Sequence, residues 1–166
     1  MVERERPQDV VRNAAVLFVC LGNICRSPLA EAAFRAEAAR IGLDVEVDSA
    51  GIGDWHTGEP PDPRARAVAR RHGIDIRGYR ARQVTPRDFR RFTHIVALDR
   101  ENLAALRAMR PADATARLSL LLDHLEGRKG EAVADPYYGG DADFELTWAD
   151  VTEGASALAQ RIAGKA

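Results

Sequence analysis

Short apolar segments alternate with longer helical segments along this chain, and that alternation most constrains its fold. A β-branched and apolar run at residues 16–19 predicts a buried strand, and Gly22 marks the loop after it. Ser27 and Pro28 then supply the chemistry of a helix N-terminus, and apolar residues recur at helical spacing until Gly42. The chain therefore opens with a strand, a loop and a helix.

The same alternation continues to the end of the chain. Val45 and Val47 alternate with polar residues in a second predicted strand, and residues 94–98 and 118–122 predict a third and a fourth. Strands that alternate with helices pair in parallel through right-handed crossovers. The fold class predicted is therefore a three-layer α/β fold, a four-stranded parallel sheet with helices on both faces. Helices are predicted to begin near Asp62, Thr85 and Asp99, and a stripe of Phe144, Trp148, Val151, Ala155, Leu158 and Ile162 predicts a long C-terminal helix.

Composition limits the class of protein further. A length of 166 residues suits one domain, and we expect a flexible N-terminal extension at residues 1–13 before a single folded domain at residues 14–166. The extension is charged and unlike a secretory signal, and the apolar run at residues 14–21 is too short to span a membrane. Only two cysteines are present, which excludes a disulfide framework and a four-cysteine zinc site. We expect a cytoplasmic protein.

Arginine is concentrated in one stretch although the net charge is only −1. Residues 64–91 contain ten arginines against Asp75 and Asp88. This pattern is typical of a solvated helix face with a loop, and the alternative is a surface that steers an anionic partner. Only two aromatic residues, Tyr79 and Phe89, lie among these arginines, so binding of nucleic acid is not expected.

The loop after the first predicted strand carries Cys20 and Arg26, separated by five residues, and then Ser27. Because it joins a strand to a helix N-terminus, its backbone N–H groups can turn inward around one tetrahedral anion. Those donors, the helix dipole and Arg26 favour a thiolate at Cys20, a nucleophile near neutral pH. The guanidinium can hold two phosphoryl oxygens at once, and Ser27 can donate to the departing sulfur. The predicted phosphate-binding loop consists of Leu21, Gly22, Asn23, Ile24, Cys25, Arg26 and Ser27.

A thiolate that attacks a phosphate monoester needs a proton donor for the leaving oxygen, and the same group must later activate water. Asp135 is the best candidate, because Pro136 stiffens its loop and the adjacent Tyr137 and Tyr138 can line a pocket rim. Plainer interpretations exist for both catalytic candidates. Cys20 could be a small buried side chain, and the aspartate could form an ordinary Asx-Pro turn.

The twelve residues that begin at Cys20 read Cys-Leu-Gly-Asn-Ile-Cys-Arg-Ser-Pro-Leu-Ala-Glu, which resembles the signature loop of the low-molecular-weight protein tyrosine phosphatases. Resemblance extends from about Val16 to the last helix. Further segments resemble the family's other segments in the same order: residues 49–51, 55–58, 62–65, 72–74, 81–83, 99–102 and 135–139.

The resemblance implies a role for each matching residue. It implies that Asn23, Ser49 and His72 form a hydrogen-bonded brace, together with Ser27, that supports the phosphate loop. Trp55 and Tyr137 would wall the pocket entrance, where stacking on a phenyl ring favours phosphotyrosine over the shorter phosphoserine. The catalytic roles implied agree with those argued from the residues: Cys20 as nucleophile, Arg26 as phosphate clamp, Ser27 as thiolate partner and Asp135 as general acid and base.

The expected function is hydrolysis of phosphotyrosine and aryl phosphate monoesters through a cysteinyl-phosphate intermediate, with no metal or cofactor. Expected partners are phosphotyrosine-containing proteins, with no nucleic acid or membrane, and the chain is expected to be a monomer or to self-associate weakly. An arsenate reductase on the same scaffold is one alternative, but the form that relays a disulfide through its own chain needs cysteines after Cys25. A phosphoprotein-binding module that has lost turnover is the other, against which intact Cys20, Arg26 and Asp135 argue.

Cys25 has two interpretations, as a filler under the loop or as a redox partner of Cys20. In similar phosphatases the second cysteine lies near the nucleophile, which implies a reversible disulfide that would spare Cys20 from over-oxidation. Mass spectrometry after mild peroxide treatment distinguishes these interpretations, because irreversible sulfinate on Cys20 without a disulfide would refute the protective one.

Overall fold

A four-stranded parallel sheet lies at the centre of the computed structural model, which describes residues 14–164. The strand order is β2-β1-β3-β4, and every neighbouring pair is parallel, as predicted. The extension predicted for residues 1–13 lies outside the described residues. The strands are β1 (Ala15–Cys20), β2 (Glu46–Gly51), β3 (His94–Ala97) and β4 (Arg117–Leu120).

Helices cover both faces of this sheet, which confirms the predicted three-layer architecture. No helix in residues 14–164 is long and apolar enough to cross a lipid bilayer. The helices are α1 (Arg26–Ile41), α2 (Pro63–Arg71), α3 (Asp88–Arg91), α4 (Arg100–Met109) and α5 (Asp141–Ile162).

Strand β1 is buried on both faces, and its side chains divide the core into two clusters. Val16 and Phe18 face a cluster that includes apolar side chains of α1, α2 and α5. Leu17 and Val19 face the other cluster, which includes residues of α3 and α4. Successive strand residues point to opposite faces, so a central strand requires the uninterrupted apolar run seen in the sequence.

The fourth strand is shorter than predicted. It ends at Leu120, and Leu121–His124 form a turn of 3₁₀ helix instead. The reason is packing against α5, where a Cβ atom on Gly154 would lie only 2.6 Å from Cγ of Leu121. The missing side chain lets the fully buried Leu121 leave the strand direction and fill the interface with α5.

The sheet places three chain segments at one edge, outside the carboxyl ends of its strands. The order reverses between β1 and β3, because β2 lies on one side of β1 and β3 lies on the other. Cys20 ends β1, Gly51 ends β2, and Asp99 follows β3 as the N-cap of α4. A crevice at such a reversal is the usual ligand site of an open α/β sheet.

Candidate active site

The loop between β1 and α1 contains backbone N–H groups that have no hydrogen-bond acceptor within the described residues. Asn23, Ile24 and Cys25 are buried. Within residues 14–164, no protein acceptor engages the N–H groups of these residues or of Gly22. Cys25 caps α1 with no side-chain hydrogen bond, so the helix end is left to another acceptor. Buried N–H groups without acceptors are costly, and this concentration of them fits a tetrahedral anion.

Ser27 contacts the Cys20 sulfur twice. Its hydroxyl oxygen lies 3.0 Å from Sγ, and its backbone N–H donates to Sγ over 3.4 Å. The side-chain amide of Asn23 donates to the same hydroxyl oxygen over 2.8 Å. Because Asn23 already supplies a proton to this oxygen, the hydroxyl proton is available to the sulfur. The geometry therefore suits Ser27 to stabilise a thiolate.

Asn23 occupies a left-handed backbone conformation, with φ of 60°, and its side chain makes three hydrogen bonds that fix it there. Besides its bond to Ser27, the amide nitrogen donates to Oγ of Ser49 over 3.0 Å. Its Oδ1 atom accepts the backbone N–H of Arg82 over 3.0 Å. Both polar atoms of the amide are thus used, and these bonds fix the left-handed backbone conformation. Asparagine adopts this conformation more readily than most other residues with a side chain.

Glu31 completes this support, and the sequence analysis assigned it no role. It accepts the Ser49 hydroxyl proton over 2.7 Å and also binds Arg35. Burial raises the pKa of the Glu31 carboxyl, although the hydrogen bonds from Ser49 and Arg35 act in the opposite direction. The sequence did contain a sign of this role, because Glu31 is an acidic residue between the buried Ala30 and Phe34 on α1.

The placement predicted for His72 is wrong. Its Nε2 atom lies 3.0 Å from Oε1 of Glu145, and its ring stacks on Trp148 at a centroid distance of 5.2 Å. His72 follows the last residue of α2, whose other end lies beside the phosphate loop. A helix of nine residues is roughly 13 Å long, so this histidine is carried away from Asn23 and Ser49.

Arg26 is almost fully buried, with 3% of its surface exposed, and residues outside the phosphate loop hold it. Its Nη1 atom donates to Oδ2 of Asp99 over 2.7 Å and to the carbonyl oxygen of Val133 over 3.0 Å. Burial alone would lower the pKa of this guanidinium, but Cys20 and Asp99 outweigh it and raise the pKa. Asp99 was predicted only as a helix cap, a role it also fills by accepting the backbone N–H of Asn102.

Asp135 lies at the mouth of the same crevice. Its Oδ2 atom is 3.8 Å from Nη2 of Arg26, and its Oδ1 atom accepts the backbone N–H of Tyr137 over 3.1 Å. About half of this side chain is exposed, so it can reach both a bound ester and solvent. The structure therefore brings Cys20, Arg26 and Asp135, the three predicted catalytic residues, to one cavity.

The cavity has a volume of about 330 Å³, and Cys20 is among the residues that line it. Trp55 forms part of its rim, and 65% of the indole surface is exposed. Tyr137 and Tyr138 also line it, and their rings meet edge to face with centroids 4.9 Å apart. His56 lines the cavity as well, beside Glu59, and the sequence analysis gave it no role.

Cys25 lies within the loop and lines the floor of the cavity. Burial raises the pKa of its thiol well above the ordinary range, and the negative charges of Asp62, Cys20 and Asp135 act in the same direction. Both cysteines are free thiols in this structure. The protonated form of Cys25 is thus favoured, which leaves the nucleophilic role to Cys20, while the redox role of Cys25 stays a prediction.

This arrangement can perform phosphoryl transfer. A sulfur nucleophile lies below a set of anion donors, a buried guanidinium flanks them, and a carboxyl group reaches the open side. These are the requirements of nucleophilic catalysis with electrostatic stabilisation and a general acid.

A family model described as low molecular weight phosphotyrosine protein phosphatase matches residues 15–166. The chain belongs to the low-molecular-weight protein tyrosine phosphatase family. The membership confirms the family, the fold and the enzyme class predicted from the sequence.

Individual relatives of this phosphatase are similar over most of their length. A low molecular weight protein-tyrosine-phosphatase of Bacillus subtilis, YfkJ, is 49% identical over 129 residues, which cover 76% of this chain and 83% of that protein. The low molecular weight phosphotyrosine protein phosphatase of Sus scrofa is 38% identical over 151 residues, which cover 89% of this chain and 95% of that protein.

Solved structures agree with the fold. The crystal structure of YfkJ from Bacillus subtilis has a TM-score of 0.84 at 44% identity and covers 92% of this chain and 96% of that chain. The crystal structure of a Drosophila arginine phosphatase has a TM-score of 0.83 at 32% identity and covers 88% of this phosphatase and 96% of that chain. The scaffold therefore accommodates more than one named phosphatase activity.

Proposed function

We propose that the protein hydrolyses phosphotyrosine in proteins, and small aryl phosphates, through a phosphorylated Cys20. The observation that carries this proposal is the convergence of the Cys20 sulfur, the unused N–H groups of residues 22–25 and the Arg26 guanidinium on one cavity. Both cysteines of the chain line this cavity.

In the first step, the loop N–H groups and Arg26 bind the phosphoryl oxygens. The Cys20 thiolate attacks phosphorus from below, so that the S–P bond forms as the P–O bond to the phenol breaks. Asp135 in its protonated form donates its proton to the departing phenolate oxygen. This proton transfer avoids a free phenolate and leaves Asp135 as a carboxylate.

In the second step, the Asp135 carboxylate accepts a proton from water, and the water oxygen attacks phosphorus. The S–P bond breaks, inorganic phosphate leaves, and Cys20 returns to its thiolate form. The Ser27 hydroxyl, 3.0 Å from the sulfur, donates to the developing negative charge. Asp135 ends protonated, which prepares it for the next substrate.

The walls of the cavity favour an aromatic ester. Ile24, Trp55 and Tyr137 surround the path from the loop to solvent, and their apolar surfaces can contact a phenyl ring. Asp135 is the only carboxylate among the described residues that line this cavity. The guanidinium of phosphoarginine would therefore have no second carboxylate to pair with in this cavity. This favours phosphotyrosine over phosphoarginine.

Substrate preference is tested with matched peptides that carry phosphotyrosine, phosphoserine or phosphoarginine at the same position. We expect kcat/KM for the phosphotyrosine peptide to exceed the other two by about tenfold or more, because about 1.4 kcal/mol of additional ring contact in the transition state changes kcat/KM by that factor. Release of inorganic phosphate in the presence of a chelator is the measurement. A higher kcat/KM for phosphoarginine would assign the chain to the activity named for the Drosophila neighbour.

Replacement of Asp135 by alanine tests the general acid. We expect kcat/KM to fall by about 10² or more for phenyl phosphates with poor leaving groups, because positioned acids contribute rates of that order. The loss should be smaller for nitrophenyl phosphate, whose leaving group needs little protonation. Since kcat/KM reports events up to formation of the cysteinyl phosphate, equal losses across leaving groups would contradict the acid role.

The finer expectations on partners and location belong to this proposal. We expect the enzyme to act as a monomer or a weakly self-associating chain in the cytoplasm, where phosphotyrosine-containing proteins are available.

A further inference from the structure

Arg64, the second residue of α2, joins the segment that carries Asp135 to the rest of the protein. Its Nη1 atom donates to the carbonyl oxygen of Gly139 over 2.8 Å, and its Nη2 atom donates to that of Tyr137 over 2.9 Å. Both carbonyls follow Asp135 within four residues, in the acid loop that we define as residues 134–140. One planar guanidinium therefore holds two points of this loop at once.

Asp62 fixes the orientation of that guanidinium. Its Oδ1 atom accepts from the Arg64 backbone N–H over 2.8 Å and from Nε over 3.0 Å, while its Oδ2 atom accepts from Nη2 over 3.0 Å. Burial acts to raise the pKa of the Asp62 carboxyl, but the hydrogen bonds and charge of Arg64 outweigh it and lower that pKa. The carboxyl is thus ionised and pairs with Arg64 at neutral pH.

The same segment also contacts the phosphate loop. The backbone N–H of Asp62 donates to the carbonyl oxygen of Ile24 over 2.9 Å. Two residues along the chain, the Arg64 side chain reaches the acid loop. Asp62 and Arg64 therefore bridge the loop that holds the nucleophile and the loop that holds the general acid.

Aromatic rings restrict Arg64 further. Its Cζ atom lies 4.6 Å from the ring centroid of Phe144, which is fully buried, and 5.7 Å from that of Tyr137. Cation–π contacts at these distances add to the hydrogen bonds. The guanidinium is enclosed between a core residue of α5 and a residue of the cavity rim.

Asp135 itself has few other restraints. The chain before it is anchored by the backbone N–H of Val133, which donates to the carbonyl oxygen of Leu98 over 2.8 Å. After Asp135, Arg64 is the only described side chain of α2 that donates to carbonyl oxygens of the acid loop. The ends of the acid loop have their own contacts, because the Thr147 hydroxyl donates to the carbonyl oxygen of Ala134 over 3.4 Å and Asp143 accepts the backbone N–H of Gly140 over 2.9 Å. Between these ends, Arg64 is the residue that holds the stretch immediately after Asp135.

We propose that Arg64, oriented by Asp62, is a positioning residue that sets the distance between the Asp135 carboxyl and the Cys20 sulfur. This inference rests on the proposed function, in which Asp135 is the general acid. Arg64 does not touch the substrate, and it acts by holding the carbonyls of Tyr137 and Gly139. The consequence is that loss of Arg64 should resemble loss of Asp135 and should differ from loss of another surface arginine.

Kinetics of Arg64→Ala provide the first test. We expect kcat/KM for phenyl phosphates with poor leaving groups to fall about ten- to a hundredfold, since displacement of a catalytic group by about 1 Å has effects of this size. Loss for nitrophenyl phosphate should be smaller. The double variant Arg64→Ala/Asp135→Ala should match Asp135→Ala alone, and losses that multiply in the double variant would overturn the proposal.

Arg71→Ala is the matched control, because Arg71 also links α2 to α5. Its Nε atom pairs with Glu145 over 2.7 Å, at the end of α2 remote from the acid loop. This control should retain wild-type kcat/KM for every leaving group. A loss equal to that of Arg64→Ala would show a general effect of uncoupling the two helices and would overturn the positioning role.

Hydrogen exchange gives a readout that needs no activity. We expect the amides of Tyr137 and Gly139 to exchange about tenfold or more faster in Arg64→Ala, because their loop loses its two carbonyl anchors. The same amides should keep wild-type rates in Arg71→Ala. Unchanged exchange in Arg64→Ala would refute the proposal, whereas a wild-type protein that fails to hydrolyse aryl phosphates would refute the proposed function and leave this loop restraint measurable.

Discussion

Replacing Cys20 with serine is expected to remove turnover, with kcat for phosphotyrosine peptide reduced by about 10⁴ or more, as is usual when an enzyme loses its nucleophile. A serine hydroxyl at this position remains protonated near neutral pH, and the hydrogen bond from Ser27 does not create an alkoxide. Rapid-quench mass spectrometry should detect a phosphoryl adduct on wild-type protein during turnover and none on Cys20→Ser.

The same variant supplies its own control for folding. The loop N–H groups and Arg26 are unchanged in Cys20→Ser, so binding of inorganic phosphate should persist with an affinity close to that of the wild type. The thermal unfolding midpoint should also be nearly unchanged, because serine replaces a small buried side chain. Wild-type turnover by Cys20→Ser would exclude the cysteinyl-phosphate mechanism.

The fold was predictable because its determinants are local in sequence. Strand β1 needs apolar residues on both faces and shows them in an unbroken run. The N-caps of α2 and α4, Asp62 and Asp99, stand at the positions that their local chemistry predicts. Three boundaries differ: α1 begins at Arg26 with Cys25 as its N-cap and not at Ser27, and α3 begins at Asp88 and not near Thr85. The third is the end of β4, where the decisive contact is between Leu121 and Gly154, residues that no local pattern connects.

The catalytic loop was predictable for the same reason, and its surroundings were not. Cys20, Arg26 and Ser27 lie within eight residues, so their convergence follows from one strand–loop–helix unit. Arg26 meets Asp99 across 73 residues of sequence, and Arg64 meets Gly139 across 75. Such pairs form only because separate strands and helices end at one edge of the sheet, which single-residue patterns do not encode.

The arginine-rich stretch favours the plainer of its two interpretations. Carboxylates in the same protein neutralise much of it, so its field on an approaching anion is weaker than the count of ten arginines indicates. Within this stretch, Arg64 is the member that binds the acid loop. The ion pairs formed by this stretch join Arg64 to Asp62, Arg71 to Glu145, Arg77 to Asp75, Arg82 to Asp88, Arg90 to Asp113 and Arg91 to Glu46.

Arg26→Lys is expected to cause the second largest loss, a fall in kcat/KM of about 10³, which is the cost of removing a preorganised donor to the transition state. The Nη1 atom of Arg26 is committed to Asp99 and to the carbonyl oxygen of Val133. Phosphate must therefore be bound by the remaining donors of the guanidinium, on the edge that faces Asp135. A lysine ammonium lacks the planar fork of the guanidinium, so it cannot bind two phosphoryl oxygens in parallel while it also binds Asp99.

The measurement combines kcat/KM for nitrophenyl phosphate with the inhibition constant of vanadate, an anion that can adopt the five-coordinate geometry of the transferring phosphoryl group. Both should weaken in Arg26→Lys, and vanadate should weaken more than inorganic phosphate, because the fork matters most when the equatorial oxygens become coplanar. Arg107→Lys, on the exposed face of α4, is the matched control and should leave both values unchanged. Equal losses of phosphate and vanadate affinity in Arg26→Lys would contradict this prediction. They would mean that Arg26 contributes only its positive charge, which lysine preserves.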